Sequence, residues 1–461
     1  MSETKRTGRG VPLHTRILLG LLVGAVTGVL SNLLWSDSPA LAWAVDNVAQ
    51  PIGHVFLRML FMVVVPLVFT SITLGVAGLG DLRRLGRIGG KTFSIFLVTT
   101  ALAATIGLAL MNVVRPGETL DPLVRAALLE EYAPEAAART GAFAEGGGFG
   151  VHTFVEIVPR NPLDAAARGD MLGLIFFAIV FGIALTRLSP EHAQPVTRVL
   201  DGIGQAVTVM IDFAMRLAPF GVAGLIFSVT ARFGFDVLRS LGLYLVVVLC
   251  GLTFHQFGVL GAVAKFVAGM NPREFFRRTR VLMVTAFSTS SSSATLPTTI
   301  RTAQEEFGVP REVAGFVLPL GATMNMNGTA LFEGMVVLFL AQVFGIDLSI
   351  GAQLIVVAMA VLTAIGAAGV PGGSIPLLVM VLEMVGIPGE GIALILGVDR
   401  IVDMARTVPN VTGDLLTSVL VTKSERLPFF ATEPAADAGA PASDEAPVAG
   451  PASHAAGTAG D

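Results

Sequence analysis

Cysteine is almost absent from this chain. A single Cys250 in 461 residues excludes an intramolecular disulfide and leaves the redox compartment unreadable. Charge is also scarce, at 14% Asp, Glu, Lys and Arg against roughly 25% in an ordinary soluble domain. No ATP-binding loop is visible, and no nucleic-acid partner is expected. The net charge of −4 says little, because the charges are sorted by segment and a global sum hides the sorting that sets topology. What fills the chain instead is hydrophobic residues, at 53%, in stretches that exceed the roughly 18 residues marking a transmembrane candidate. The composition reads as an all-α polytopic membrane protein.

Apolar runs and breakers predict helices at about 13–35, 52–78, 91–114, 171–188, 202–229 and 237–268. The N-terminus has basic residues before an apolar run, as a signal peptide does. Ile17 to Trp35 is long, however, with no convincing cleavage site after it, and reads as a first retained helix. Basic clusters at Lys5 to Arg9, Arg83 to Lys91, Arg273 to Arg280 and Lys423 to Arg426 place those segments in the cytoplasm, and with them both termini. The acidic segment Pro116 to Asp170 faces outward on this reading. Cys250 reads as a small buried hydrophobe in an apolar helix. The tail 431–461, rich in Ala, Pro and Gly, reads as disordered.

Polarity enters the apolar segments in the second half. FSTSSSSATLP (Phe287 to Pro297) and AIGAAGVPGGSIP (Ala364 to Pro376) each interrupt such a segment and look like re-entrant hairpin tips. Each is followed by a polar helix, first GATMNMNGTALFEG (Gly321 to Gly334) and then the segment carrying Asp399, Asp403, Arg406, Asn410 and Asp414. Paired discontinuities of this kind mark inverted-repeat transporters, whose broken helices bind substrate and ions near the midplane. At 3.6 residues per turn the five polar residues fall within roughly an 80° arc of one helix face. Each Asp or Arg at a helix centre in a membrane costs roughly 2.5–3.5 kcal/mol, so four unpaired charges cost on the order of 10 kcal/mol. Three carboxylates and one guanidinium give this face −2 if all are ionised, a sign comfortable in the interior only with bound cations or protons.

SSSSATLP, NMNGTAL, AAGVPGG and DMARTVPNVTGD, in that order, resemble the signature segments of the dicarboxylate/amino acid:cation symporter family, to which the excitatory amino acid transporters belong. The resemblance spans most of the chain. It implies eight transmembrane helices plus two re-entrant hairpins, inverted repeats, a homotrimer and a transport domain that moves like an elevator. The implied layout is a cytoplasmic N-terminus (1–12) and a transporter domain (13–430). Within it, scaffold helices lie at about 13–78 and 171–229, and a transport part at about 91–114 and 237–422, with hairpins at about 275–305 and 350–388. The bacterial inner membrane is the expected location.

Arg406 offers a planar fork suited to a carboxylate, and the resemblance gives it the substrate's side-chain carboxylate. Asp403 takes the substrate ammonium and Asn410 its main-chain carboxylate on the same grounds. Thr329, Ser290, Ser291, Ser292, Val370 and Ser374 match the remaining contacts. One sodium site of the family matches Gly321, Asn325, Asn410 and Asp414. A second, built mainly of backbone carbonyls, matches Thr323, Met326, Ala364, Ile365 and Ala367. A third pairs hydroxyls, here Thr99 and Thr100, with an aspartate that this chain replaces by Asn327, which should weaken cation binding there. Glu333 stands where proton-coupled relatives carry a glutamate, and a buried carboxyl can load and release a proton; a structural hydrogen bond is the alternative. Neither arginine that relatives place near the substrate is present, since Ser290 and Met404 occupy those positions. Pro409 is expected to kink the polar helix beside Asn410.

The function implied is secondary active import of acidic amino acids, aspartate or glutamate, coupled to sodium and/or proton gradients, with no organic cofactor. A C4-dicarboxylate symporter (succinate, malate, fumarate) is the alternative, and a channel or binding receptor the reading from another class. Arg406 could also be a merely structural ion-pair partner of Asp403 or Asp399. The serine run does not make an enzyme: hydrolysis needs a base, and His54 and His255 sit in remote segments, where they read as packed or hydrogen-bonded residues.

Overall fold

The computed structural model describes residues 12–36, 38–84, 87–120, 158–168, 171–367 and 369–430. The basic cluster Lys5 to Arg9, most of the acidic 116–170 segment and the tail 431–461 lie outside the described residues. Within them all regular structure is helical: α1 Leu13–Trp35, α2 Pro39–Ala44, α3 Gln50–Met62, α4 Val64–Arg84, α5 Arg87–Val114, α6 Pro162–Arg168, α7 Met171–Leu185, α8 Pro190–Phe233 and α9 Phe235–Thr253. After a π-helical stretch, Phe254–Val259, come α10 Leu260–Val263, α11 Pro272–Arg278, α12 Arg280–Thr289, α13 Ser292–Glu305, α14 Arg311–Met324, α15 Asn327–Val343, α16 Ile350–Gly366, α17 Ile375–Met384 and α18 Ala393–Ser424.

Among the described residues, six helical stretches are long and apolar enough to cross a membrane: Thr15–Trp35, Pro39–Gly78, Arg87–Thr119, Pro190–Phe233, Phe235–Ala268 and Arg311–Val343. Four shorter apolar helices accompany them. The first three and the next two carry large exposed apolar side chains such as Leu22, Leu33, Val55, Val98, Phe220 and Val246. Such a continuous apolar exterior suits a lipid solvent. The sixth is almost wholly enclosed by the others, so its polar residues face protein.

Small residues set the helix contacts, as expected where lipid removes the hydrophobic drive between helices. α1 lies along α8, and a Cβ at Gly24 would stand 2.5 Å from the carbonyl oxygen of Ala223. A Cβ at Gly224 would stand 2.5 Å from the carbonyl of Ala49 at the head of α3. α4 packs on α7 through Phe69, Phe177 and Phe181. A second group gathers around α15 and α18: α5 runs along α15, and α9, α12, α13 and α14 pack on α18.

Four local expectations need correction. The 52–78 run breaks at Val63 (φ −92°, ψ −5°), because Pro66 has no N–H to bond back to the Met62 carbonyl. The 202–229 helix begins already at Pro190 and runs to Phe233, carrying Pro195 and Pro219 inside it. The 237–268 run is punctuated by π-helical turns at Phe254–Val259 and Ala264–Ala268. Cys250 is exposed, on the same outward helix face as Val246 and Phe254 and Phe257, and is not a core residue.

Candidate functional site

Two helical hairpins and two polar helices converge on one small cavity. In the first hairpin α12 ends at Ser290, whose left-handed backbone (φ 51°) reverses the chain. Ser291 is extended and caps α13, its Oγ accepting the Ala294 N–H at 3.1 Å. The same hydroxyl donates to the Gly369 carbonyl in the second hairpin at 2.5 Å, and the Ser293 N–H reaches that carbonyl at 3.2 Å. The two tips are therefore tied to each other across 78 residues of sequence. A Cβ at Gly369 would stand 2.6 Å from Ser293 Oγ and 2.9 Å from the Ala322 carbonyl, so glycine is what permits this approach.

The cavity between these tips and α18 is lined by Ser290 and Ser292, by Gly369, Val370 and Ser374, by Met326 and Thr329, and by Asp403, Arg406, Thr407 and Asn410. The structure thus brings together every residue expected at the substrate except Ser291, which is spent on the cap and the tip tether. Met326, expected at the second sodium set, lines this cavity as well, and Gly369 and Thr407 are additions that the motifs did not single out. Ser290 Oγ, Ser374 Oγ and Arg406 Nη1 are buried without a partner among the described residues and are groups a ligand could use. At about 20 Å³ the cavity has room for roughly one water and not for a dicarboxylic acid, so the tips must part for one to enter.

Arg406 donates to Asp403 Oδ1 from Nε at 3.1 Å and from Nη2 at 2.6 Å, and its guanidinium lies 4.5 Å from the Phe332 ring centroid. The Arg406–Asp403 ion pair weighed as a structural alternative is present, yet both partners face the cavity and one guanidinium nitrogen stays free. Asn410 is held from two sides, its Oδ1 accepting the Gly328 N–H at 2.8 Å and its Nδ2 donating to Thr329 Oγ1 at 3.3 Å. α18 runs through Pro409 without interruption. The tight fit is across the helix pair: a Cβ at Gly328 would meet the Arg406 carbonyl, with Pro409 Cγ at 2.8 Å.

The chain leaves helical geometry at Asn325 (φ −123°, ψ 78°) and Met326 (φ −108°, ψ 65°), between α14 and α15. Asn325 Nδ2 donates to Asp414 Oδ1 at 2.8 Å, and a Cβ at Gly321 would stand 2.5 Å from the same oxygen. Gly321, Asn325 and Asp414 are thus in contact, with Asn410 one turn away on α18; hard oxygen donors of this kind suit a monovalent cation. Of the second set, Thr323 and Met326 lie at the α14–α15 break, and Ala364, Ile365 and Ala367 lie where α16 ends and the chain becomes extended. Met326, Ala364 and Ala367 share one buried cluster.

Thr100 and Asn327 meet, whereas Thr99 lies beside Asn325. Thr100 Oγ1 donates to Asn327 Oδ1 at 2.9 Å, and Thr99 Oγ1 lies 3.5 Å from Asn325 Oδ1. Asn327 Nδ2 is buried and unpartnered. An amide donor there presents hydrogens where a cation needs oxygen, so this donor set fits a cation poorly.

Glu333 is fully enclosed on α15, its Oε2 2.5 Å from Thr363 Oγ1 on α16 and its Oε1 without a partner. Thr363 also lies 2.9 Å from the Met359 carbonyl. A hydroxyl carries one hydrogen and two lone pairs. It can therefore donate to an ionised Glu333, or accept from a protonated Glu333 while donating to Met359. The pair accommodates either protonation state.

Sequence reasoning missed two further polar residues. Arg400 Nη1 lies 3.3 Å from Asp403 Oδ2, which brings the charge of the polar helix from −2 to −1. Gln256, carried inward by the π-helical stretch, donates to Thr412 Oγ1 at 3.1 Å. His255 is packed with neither ring nitrogen bonded, whereas His54 is exposed rather than packed.

A model of the sodium:dicarboxylate symporter family matches residues 13–424. The chain is 37% identical over 415 residues to the proton/sodium-glutamate symport protein of Bacillus subtilis, covering 90% of this chain and 92% of that protein. It is 36% identical over 413 residues to the proton/glutamate-aspartate symporter of Escherichia coli, covering 90% and 93%. It is 33% identical over 417 residues to a C4-dicarboxylate transport protein of Bacillus subtilis, covering 90% and 94%.

Proposed function

The chain belongs to the sodium:dicarboxylate symporter family, and from that premise we propose that it imports acidic amino acids, aspartate or glutamate, driven by sodium, by protons or by both. The observation that carries the reading is the cavity between the two hairpin tips, where a buried guanidinium with a free nitrogen and a buried carboxylate stand side by side. That pairing is complementary to an acid that is also an amine.

Arg406 takes the substrate's side-chain carboxylate, Asp403 its ammonium, and Asn410 with the tip amides around Ser290 to Ser292 its main-chain carboxylate. Amides at the start of α13 suit an anion without any covalent chemistry. Thr329, Val370 and Ser374 complete the wall. Sodium is held at Gly321, Asn325, Asn410 and Asp414 and at the carbonyls of Thr323, Met326, Ala364, Ile365 and Ala367. Thr99, Thr100 and Asn327 hold none, because the amide donor replaces the anion. Glu333 carries the coupling proton, with Thr363 reversing its hydrogen bond.

The finer architecture belongs to the same proposal: eight transmembrane helices with two re-entrant hairpins, a scaffold at about 13–78 and 171–229, and a transport part at about 91–114 and 237–422 that slides as an elevator. The protein works as a homotrimer in the inner membrane, with both termini cytoplasmic, and it is a carrier rather than an enzyme. The test is accumulation of labelled L-aspartate in proteoliposomes. Uptake well beyond equilibrium under an imposed cation gradient is expected; mere equilibration would leave a channel. A C4-dicarboxylate specificity is favoured by one observation, the second arginine on Asp403, Arg400.

A further inference from the structure

Asp403 is held at both oxygens. Oδ1 takes Arg406, and Oδ2 takes Arg400, with its Nη1 at 3.3 Å. Arg400 is one residue beyond Asp399 and does not line the substrate cavity; it lines a neighbouring narrow space with Asp399 and with Asp403, which borders both, among apolar residues such as Ile17, Phe56, Met215 and Val222. Apart from the two carboxylates that wall is apolar, the Arg400 side chain is only 11% exposed, and its Nε is buried without a partner among the described residues. Among the described residues, Asp403 is the acceptor it has. Asp399 shares the space without a hydrogen bond to Arg400, so Asp403 is the carboxylate that neutralises Arg400 at contact, and losing it would leave a costly buried charge.

This arrangement matters once Arg406 turns to a substrate carboxylate. Without Arg400, Asp403 would then be a bare buried anion that demands an ammonium, and only an amino acid would satisfy it. With Arg400 in place, Asp403 stays neutralised from behind, and Asp399, Arg400, Asp403 and Arg406 together carry no net charge. The site is one unit more positive than Asp399, Asp403 and Arg406 make it without Arg400. A ligand lacking the ammonium, and so one unit more negative, becomes tolerable.

Resting on the acidic-substrate reading above, we propose that Arg400 is a specificity-determining positioning residue. By holding Asp403 Oδ2 it lowers the site's demand for a substrate ammonium and admits four-carbon dicarboxylates alongside acidic amino acids. It acts through Asp403 and touches no substrate itself.

The experiment compares wild type, Arg400→Gln and Arg400→Lys in proteoliposomes, reading labelled L-aspartate uptake and its inhibition by unlabelled aspartate and by succinate. The expected result is that succinate competes in the wild type. Arg400→Gln should then raise the succinate-to-aspartate ratio of inhibition constants by about tenfold or more, as removal of one buried charge near a dianion requires. Arg400→Lys, which keeps the charge, should stay within about threefold of wild type. A purely structural arginine would lower uptake of both ligands together and leave the ratio unchanged. An unchanged ratio in Arg400→Gln overturns the proposal, as does a wild type that ignores succinate. If Arg400→Gln does not yield folded protein, an Arg400→Lys ratio shifted as far as tenfold overturns it, because charge is then not the cause. Failure of the underlying reading is distinct: the wild type would then take up neither ligand.

Discussion

Replacing Arg406 by alanine removes the group on which acidic-substrate recognition depends. The guanidinium is 2% exposed, bonded twice to Asp403 and stacked 4.5 Å from Phe332. Truncating one partner of an enclosed, charge-assisted contact costs about 2–5 kcal/mol, which corresponds to roughly a 30- to 5,000-fold loss of affinity. The fold should tolerate the change better than the ligand does. Arg400 lies 3.3 Å from Asp403 Oδ2, so the carboxylate is not stranded, and the lost stacking is worth about 2 kcal/mol. Labelled aspartate uptake should therefore fall to background in a variant that still elutes as the same assembly in detergent. Uptake within about twofold of wild type would mean that Arg406 serves Asp403 alone, and the site assignment would fall.

Four further substitutions probe the coupling and the packing. Glu333→Gln keeps the shape but cannot exchange a proton, so any acceleration of uptake by an inward proton gradient should vanish while aspartate exchange at fixed pH persists; Thr363→Val should weaken the proton effect without abolishing it. Retained proton stimulation in Glu333→Gln would move the coupling proton elsewhere. Asn327→Asp returns an anion beside Thr100 Oγ1, and should lower the sodium concentration for half-maximal uptake by about tenfold and enlarge the thermal shift that sodium produces. No change in either would mean the amide was not what excluded the ion. Gly328→Ala drives a methyl into the Arg406 carbonyl and the Pro409 ring, where backbone cannot yield, and should lower stability by about 1–3 kcal/mol, read as an earlier thermal transition. An unaltered transition would contradict the tight fit of α15 on α18.

What the sequence made legible follows periodicity and composition. Asp399, Asp403, Arg406, Asn410 and Asp414 share a face because 3.6 residues per turn requires it, and the serine and glycine tips announce themselves as polar breaks in apolar runs. What stayed hidden depends on reach and on distant contact. Arg400 sits about 100° around the helix from Asp399, off the polar arc, yet its long side chain returns to Asp403 one turn on. The tether from Ser291 to Gly369 joins segments 78 residues apart, and no local pattern encodes it. Cys250 was misjudged because an apolar helix in lipid need not turn its small residues inward. The π-helical stretch that swings Gln256 toward Thr412 leaves no periodic signature either.

The central claim is that a cation gradient drives an acidic amino acid through the cavity between the two tips. Labelled L-aspartate uptake into proteoliposomes, with sodium and proton gradients imposed separately and succinate as competitor, tests it most directly. The account predicts concentrative uptake under at least one gradient and competition by succinate. Sodium alone would make the Asp414 and carbonyl sites sufficient despite Asn327, and protons alone would make Glu333 the coupling group. Uptake that only equilibrates under both gradients would contradict the account.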